Sequence, residues 1–185
     1  CVSAHAHYTN VSFKYLSRYS MKYYLFLIIL ISSVSAAAEK YTYDPQADPY
    51  QLLVSSVEKA KNEDKLILVV FGSDWCPDCR SFNKKLGKNP LSKKIKSKFI
   101  VMHVDVGEWD KNIPFTEEFG KPIDGGIPSI AILGTDQSIY YVAEGGEFAS
   151  ARTSKVKSIN GWFISVASEI AKISSVSQAN KGSHA

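Results

Sequence analysis

Residues 65–86 read KLILVVFGSDWCPDCRSFNKKL, and this stretch limits the fold more tightly than any other part of the chain. Leu66 to Phe71 is a continuous apolar run rich in branched side chains, the composition of a central strand covered on both faces, with Val70 at its buried centre. Gly72 and Ser73 end that run, and Cys76-Pro77-Asp78-Cys79 then opens a helical segment. Pro77 fits the first turn of a helix because it has no N–H to leave unsatisfied and its φ is already helical. A strand that hands its chain to a helix through a short turn is therefore predicted here, with Cys76 at the helix N-terminus.

That placement has chemical consequences. The unpaired N–H groups and the dipole of a helix start favour a thiolate, which makes Cys76 the candidate nucleophile. Cys79 lies one turn further in, close enough to form a disulfide with Cys76 and to attack a mixed disulfide that Cys76 has made. Asp78 sits between the two sulfurs. Its negative charge opposes a developing thiolate, so the pair is expected to be more reducing than one with a neutral or cationic neighbour there.

Trp75-Cys76-Pro77-Asp78-Cys79 after an apolar strand, with Gly126-Ile127-Pro128-Ser129-Ile130 later, resembles the thioredoxin superfamily over roughly Tyr50 to Ile173. The resemblance implies an α/β, three-layer fold with a central mixed β-sheet flanked by helices. It also implies a cis proline at Pro128 against the cysteines. Ile127 before it would offer main-chain groups to a substrate peptide, and Trp75, Pro77 and Asp78 would complete the docking surface. Many members carry an aspartate where this chain has Val70, as a proton relay for the second cysteine. His103 falls where a lysine is common, close to that cysteine, and a neutral imidazole there can take the proton that Cys79 must lose. The plain alternative is a strand histidine with its hydrogen bonds satisfied.

The rest of the chain is organised around that centre. Cys1 to Ser20 shows no period of two or 3.6, and we expect it to lie upstream of the native protein, with Cys1, His5 and His7 as bystanders. Met21 and Lys22 precede an apolar run, Leu25 to Ile31, and then Ser32 to Ala38, the pattern of a signal peptide over 21–38 cleaved near Ala37 or Glu39. The run is shorter than the ~20 residues of a spanning helix, so no stable membrane anchor is expected. Lys14, Arg18 and Lys22 supply three of the four net positive charges, so the remainder is nearly neutral. Two cysteines alone in an exported protein point to catalysis rather than a structural staple, because closing so small a loop removes little chain entropy.

Tyr41 and Tyr43 alternate as in a short edge strand. Asp48-Pro49 caps a first helix running to about Asn62. The second helix breaks at Gly87 to Pro90 and resumes over Leu91 to Lys98, a lysine-rich surface read as a solvated face. Phe99 to Val106 is the next strand. A long connection to Gly126 carries Trp109, read as loop packing, and a short helix around Thr116 to Phe119. Ser129–Leu133 and Ile139–Val142 form a hairpin that Gly145-Gly146 closes. Ser158 caps a last helix whose stripe Ile159, Trp162, Phe163, Val166, Ile170 and Ile173 covers the sheet. Residues 39–173 thus form the domain, and 174–185 a flexible tail.

Only 48 residues separate Cys79 from Pro128, too few for an inserted helical domain of the kind that strong disulfide oxidants of this superfamily carry. The expectation is a periplasmic or secreted monomer that reduces protein disulfides and exchanges electrons with a redox partner protein. It would use no cofactor or metal and bind no nucleic acid. Delivery of copper or zinc on the two thiolates, or a redox-inactive adaptor, are the alternatives from other classes.

Overall fold

The computed structural model describes residues 41–143 and 146–182. The upstream segment 1–20, the signal peptide 21–38, Gly145 and residues 183–185 lie outside the described residues, as do the side chains of residues 171 and 173–182. Four strands form one mixed sheet in the order β2-β1-β3-β4. Strand β1 (Leu66–Gly72) pairs in parallel with β2 (Phe99–Asp105) and antiparallel with β3 (Ser129–Leu133), which in turn pairs antiparallel with β4 (Ile139–Val142). With flanking helices this is the mixed α/β architecture that the sequence led us to expect.

Strand β1 sits inside because it is apolar on both faces: Ile67, Leu68, Val69, Val70 and Phe71 are completely buried. Each such side chain contributes about 1.5–3 kcal/mol of burial free energy, so this strand anchors the sheet. Val70 lies between His103 on β2 and Ile130 on β3. Helix α1 (Pro49–Glu63) starts where Asp48 accepts from the backbone N–H of Tyr50 and Pro49 fills the first turn, and it ends at Asp64 in a left-handed conformation. Helices α2 (Pro77–Leu86) and α3 (Leu91–Lys98) form the crossover from β1 to β2, broken at residues 87–90 as expected.

Several boundaries differ from the expectation for identifiable reasons. Residues 41–47 form no strand. The backbone N–H groups of Thr42 and Tyr43 point at the Asp74 carboxylate, at 3.0 and 3.4 Å, instead of joining a ladder, and Tyr43 is buried rather than alternating at an edge. The short helix α4 spans Ile113–Glu117, starting earlier than Thr116, after Asn112 in a left-handed conformation. The last helix, α5 (Val156–Gly182), begins before Ser158 and continues past Ile173 into the stretch expected as a tail. Ile159, Phe163, Val166 and Ile170 of its apolar stripe are buried, and Trp162 packs edge-on against Tyr141 and Phe148.

Candidate active site

The two cysteines are both free thiols and both buried, Cys76 at 4% and Cys79 at 0% exposure. Cys76 is the N-cap of α2, and its sulfur accepts the backbone N–H of Cys79 at 3.1 Å. A capping side chain normally satisfies one of the orphan amides at a helix start, and here a sulfur does so. The Cys76 thiol in turn donates to the Ile127 carbonyl at 3.7 Å. Ile127 is joined to Pro128 by a cis peptide bond. Cys76 is thus less open than an exposed helix end was expected to leave it, because the segment carrying Ile127 lies over its sulfur.

Cys79 faces the interior. Burial pushes its thiol far up from the ordinary range, the adjoining Cys76 adds to this, and the backbone N–H of Ser73 acts in the opposite sense by donating to the sulfur. Desolvation penalises the charged form of any thiol, so Cys79 reacts only when something near it stabilises negative charge or takes its proton.

Asp78 is buried and turned toward the loop before α5. Its carboxylate accepts the backbone N–H of Arg152 at 2.8 Å and pairs with the Arg152 Nε at 3.0 Å. The charge that the sequence set beside the cysteines therefore has a cationic partner contributed from far along the chain. Lys85, at the other end of α2, donates to the carbonyls of Ala151 and Arg152. One lysine of the basic segment is thereby a latch for this loop rather than part of a solvated face.

Trp75 stands at the rim, about half exposed, and its indole N–H donates to the Gly107 carbonyl at 2.7 Å. Arg80 fastens the turn by donating to the carbonyls of Asp74 and Trp75 at 2.6 and 2.7 Å. Trp109 is as exposed as Trp75, and with Ile113, Ile123 and Gly126 it lines an open cleft of about 540 Å³ that leads to the Ile127 segment. The structure thus brings Cys76, Cys79, Ile127 and Pro128 together, with Trp75 at the edge.

His103 is partly buried on β2. Its Nε2 lies 3.0 Å from Asn83 Oδ1, and its ring meets Tyr43 edge-on at 5.2 Å. Burial pushes its pKa down to about 4, against a small opposing pull from Asp74. The contacts of its ring are thus with Asn83 and Tyr43, and none of these joins it to Cys79. Tyr43, Asn83 and Arg152 escaped the sequence reading. None stands in a local pattern, and the ties from Arg152 to Asp78 and from Tyr43 to His103 join distant parts of the chain.

A family model described as thioredoxin-like matches residues 48–135. The crystal structure of a disulphide isomerase from Xylella fastidiosa Temecula1 superposes with a TM-score of 0.66 at 32% identity, covering 70% of this chain and 99% of that one. Thioredoxin H4 of Arabidopsis thaliana is 39% identical over 64 residues, which are 35% of this chain and 50% of that protein, so the chain spans half the length of this curated relative. Identity at that level over essentially the whole of the isomerase chain, on a mixed sheet whose first strand runs into the paired cysteines, places this chain in the thioredoxin superfamily, whose members are usually thiol–disulfide oxidoreductases.

Proposed function

We propose that this protein is an exported thiol–disulfide oxidoreductase that reduces protein disulfides through Cys76 and Cys79. The observation that carries the reading is the sulfur of Cys76 held at a helix N-terminus, 3.1 Å from the Cys79 amide and under the Ile127 carbonyl. Cys76 as thiolate attacks a substrate S–S bond, forming a mixed disulfide and releasing one substrate sulfur as a thiolate that takes up a proton. Cys79 then attacks the Cys76 sulfur, forming the Cys76–Cys79 bond and releasing the second substrate sulfur. Two electrons pass from the dithiol to the substrate, and a redox partner protein returns them.

In this reading Ile127 and Pro128 shape the docking site, with the exposed Trp75 and Pro77 around it, and the cleft beside Trp109 receives the substrate chain; Asp78, expected on this surface, is instead buried against Arg152 and stands behind it. His103 accepts the proton that Cys79 gives up, against the burial that disfavours its cation and keeps it neutral at rest. The protein acts as a monomer in the periplasm or outside the cell. The reading is supported by the signal-like pattern of residues 21–38 and by the described residues, in which no helix is long and apolar enough to cross a membrane.

The test is a trapping experiment. Cys79→Ser should accumulate mixed disulfides with a protein substrate on Cys76, and Cys76→Ser should accumulate none. Preferential alkylation of Cys79 over Cys76 in the reduced protein would contradict this order of attack. A second reading, isomerisation, has one observation behind it, the similarity to a solved disulphide isomerase. Reactivation of a scrambled disulfide protein without net consumption of thiols separates it from reduction.

A further inference from the structure

The thiol of Cys79 has to become an anion in a fully buried place, and strand β1, which leads into the turn before it, is aliphatic at Val70. Among the described residues one buried hydroxyl nearby is without work. Tyr43 is 1% exposed, yet its Oη makes no hydrogen bond, a costly state for a buried donor. Residues 41–47 have no strand to join, and their chain is tied to Asp74 by the N–H groups of Thr42 and Tyr43, which carries the tyrosine ring inward against the strand-to-helix turn.

The hydroxyl is held there closely. It lies over Gly72, where a methyl group would stand 2.6 Å from both Oη and the ring carbon that bears it. The next residue, Ser73, supplies the amide that donates to the Cys79 sulfur. Tyr43 Oη therefore lies against the turn whose Ser73 N–H faces the Cys79 sulfur. On the other side, the ring packs edge-on against His103, and the Asn83 amide approaches the hydroxyl without completing a hydrogen bond. Of the charges that act on the phenol, a thiolate at Cys79 is the strongest, ahead of Cys76 and Asp74. Burial raises the phenol well above its ordinary range, so it stays a donor wherever the protein is folded.

We infer that Tyr43 is the positioning residue of the resolving step, its hydroxyl kept unpaired in the dithiol so that it can donate to the Cys79 sulfur as that sulfur loses its proton. The Cys79 anion then displaces the substrate sulfur from Cys76. The Cys76–Cys79 bond forms as the mixed disulfide breaks, and the departing substrate thiolate takes up a proton. Tyr43 donates a hydrogen bond throughout and transfers no electron. The side chain thus offsets the desolvation of a fully buried thiolate, and with the Ser73 amide it provides the anion with two donors. This inference rests on the proposed exchange chemistry at Cys76 and Cys79.

An aromatic disulfide reagent tests it without a physiological substrate. The reduced protein releases one coloured thiolate when Cys76 forms the mixed disulfide and a second when Cys79 resolves it. Tyr43→Phe keeps the ring and removes only the hydroxyl. The expected result is an unchanged first release and a second release slowed at least about tenfold, the effect of one hydrogen bond to a charged group. Thermal unfolding should be unchanged or moved upward, because the deleted hydroxyl has no partner in the dithiol. A merely structural tyrosine would lower the melting temperature and leave both releases alone, and equal rates for the second release would overturn the inference. If the wild type resolves the reagent in a Tyr43-dependent way but does not reduce protein disulfides, the proposed function fails and the inference stands.

Discussion

Gly72 shows how one missing methyl group shapes this site. Its Cβ position is occupied by the tip of the Tyr43 ring, with three ring and hydroxyl atoms within 2.8 Å. Gly72→Ala must therefore displace the tyrosine or the strand end, and overpacking of this kind costs about 1–3 kcal/mol. Chemical denaturation should show that loss in Gly72→Ala, and the same change made in a Tyr43→Ala background should add little to the loss that Tyr43→Ala itself causes, since the clash has a single partner; additive losses would mean that the two residues do not meet. The glycine was visible in the sequence as the end of a strand. The reason for it was not, because Tyr43 arrives from a segment whose alternation suggested an edge strand, and nothing local to Tyr43 signals that Asp74 will accept its backbone N–H. Cys76, Cys79 and Pro128 were legible because their meaning lies in spacing and in junctions between elements, which the linear sequence preserves.

Helix α2 is fastened at both ends to one loop. Asp78 near its start holds Arg152, Lys85 near its end donates to the carbonyls of Ala151 and Arg152, and Phe148 from the same loop packs on Phe82 at 4.8 Å. Elements with strong periodicity, such as α1, β1 and the hairpin β3–β4, were legible with their ends nearly right. The start of α5 was misplaced because Ser158 resembles a cap, whereas in the structure its backbone N–H already bonds to the carbonyl of Lys155. The loop's grip on α2 was illegible, since an ion pair between positions 78 and 152 leaves no local trace. It bears on redox poise, because Asp78 raises the Cys79 thiol and Arg152 offsets that charge. Arg152→Ala should therefore disfavour the thiolates and lower the reduction potential, and Asp78→Asn should raise it, each by about 20 mV, the equivalent of roughly 1 kcal/mol for a two-electron couple. Equilibration against glutathione buffers measures both. Shifts of the same sign in the two variants would show that the carboxylate acts by holding the loop rather than through its charge. The guanidinium is mostly exposed, so only a small change in stability accompanies the shift.

The stability of the whole domain should carry the signature of His103. In the folded protein burial pushes its pKa down to about 4, whereas in the unfolded chain it returns to about 6.5. Above the unfolded value neither state holds the proton, and the packing of His103 against Tyr43 and Asn83 contributes in full. As the pH falls from about 6.5 toward 4, the unfolded chain binds a proton that the folded one refuses, so stability drops with falling pH and levels off once the folded imidazole is also charged. The loss attributable to this residue is about 3 kcal/mol at most. Urea unfolding of the wild type and of His103→Gln at neutral pH and near pH 4.5 isolates it, because carboxylates titrate alike in both proteins. The wild type should lose about 2 kcal/mol more than the variant over that interval. The same variant should slow resolution of a mixed disulfide more than its formation, as expected for a proton acceptor that serves Cys79. Equal acid sensitivity of the two proteins would mean that the folded state accepts the charged imidazole as readily as the unfolded chain does, and burial would then not be what holds His103 neutral.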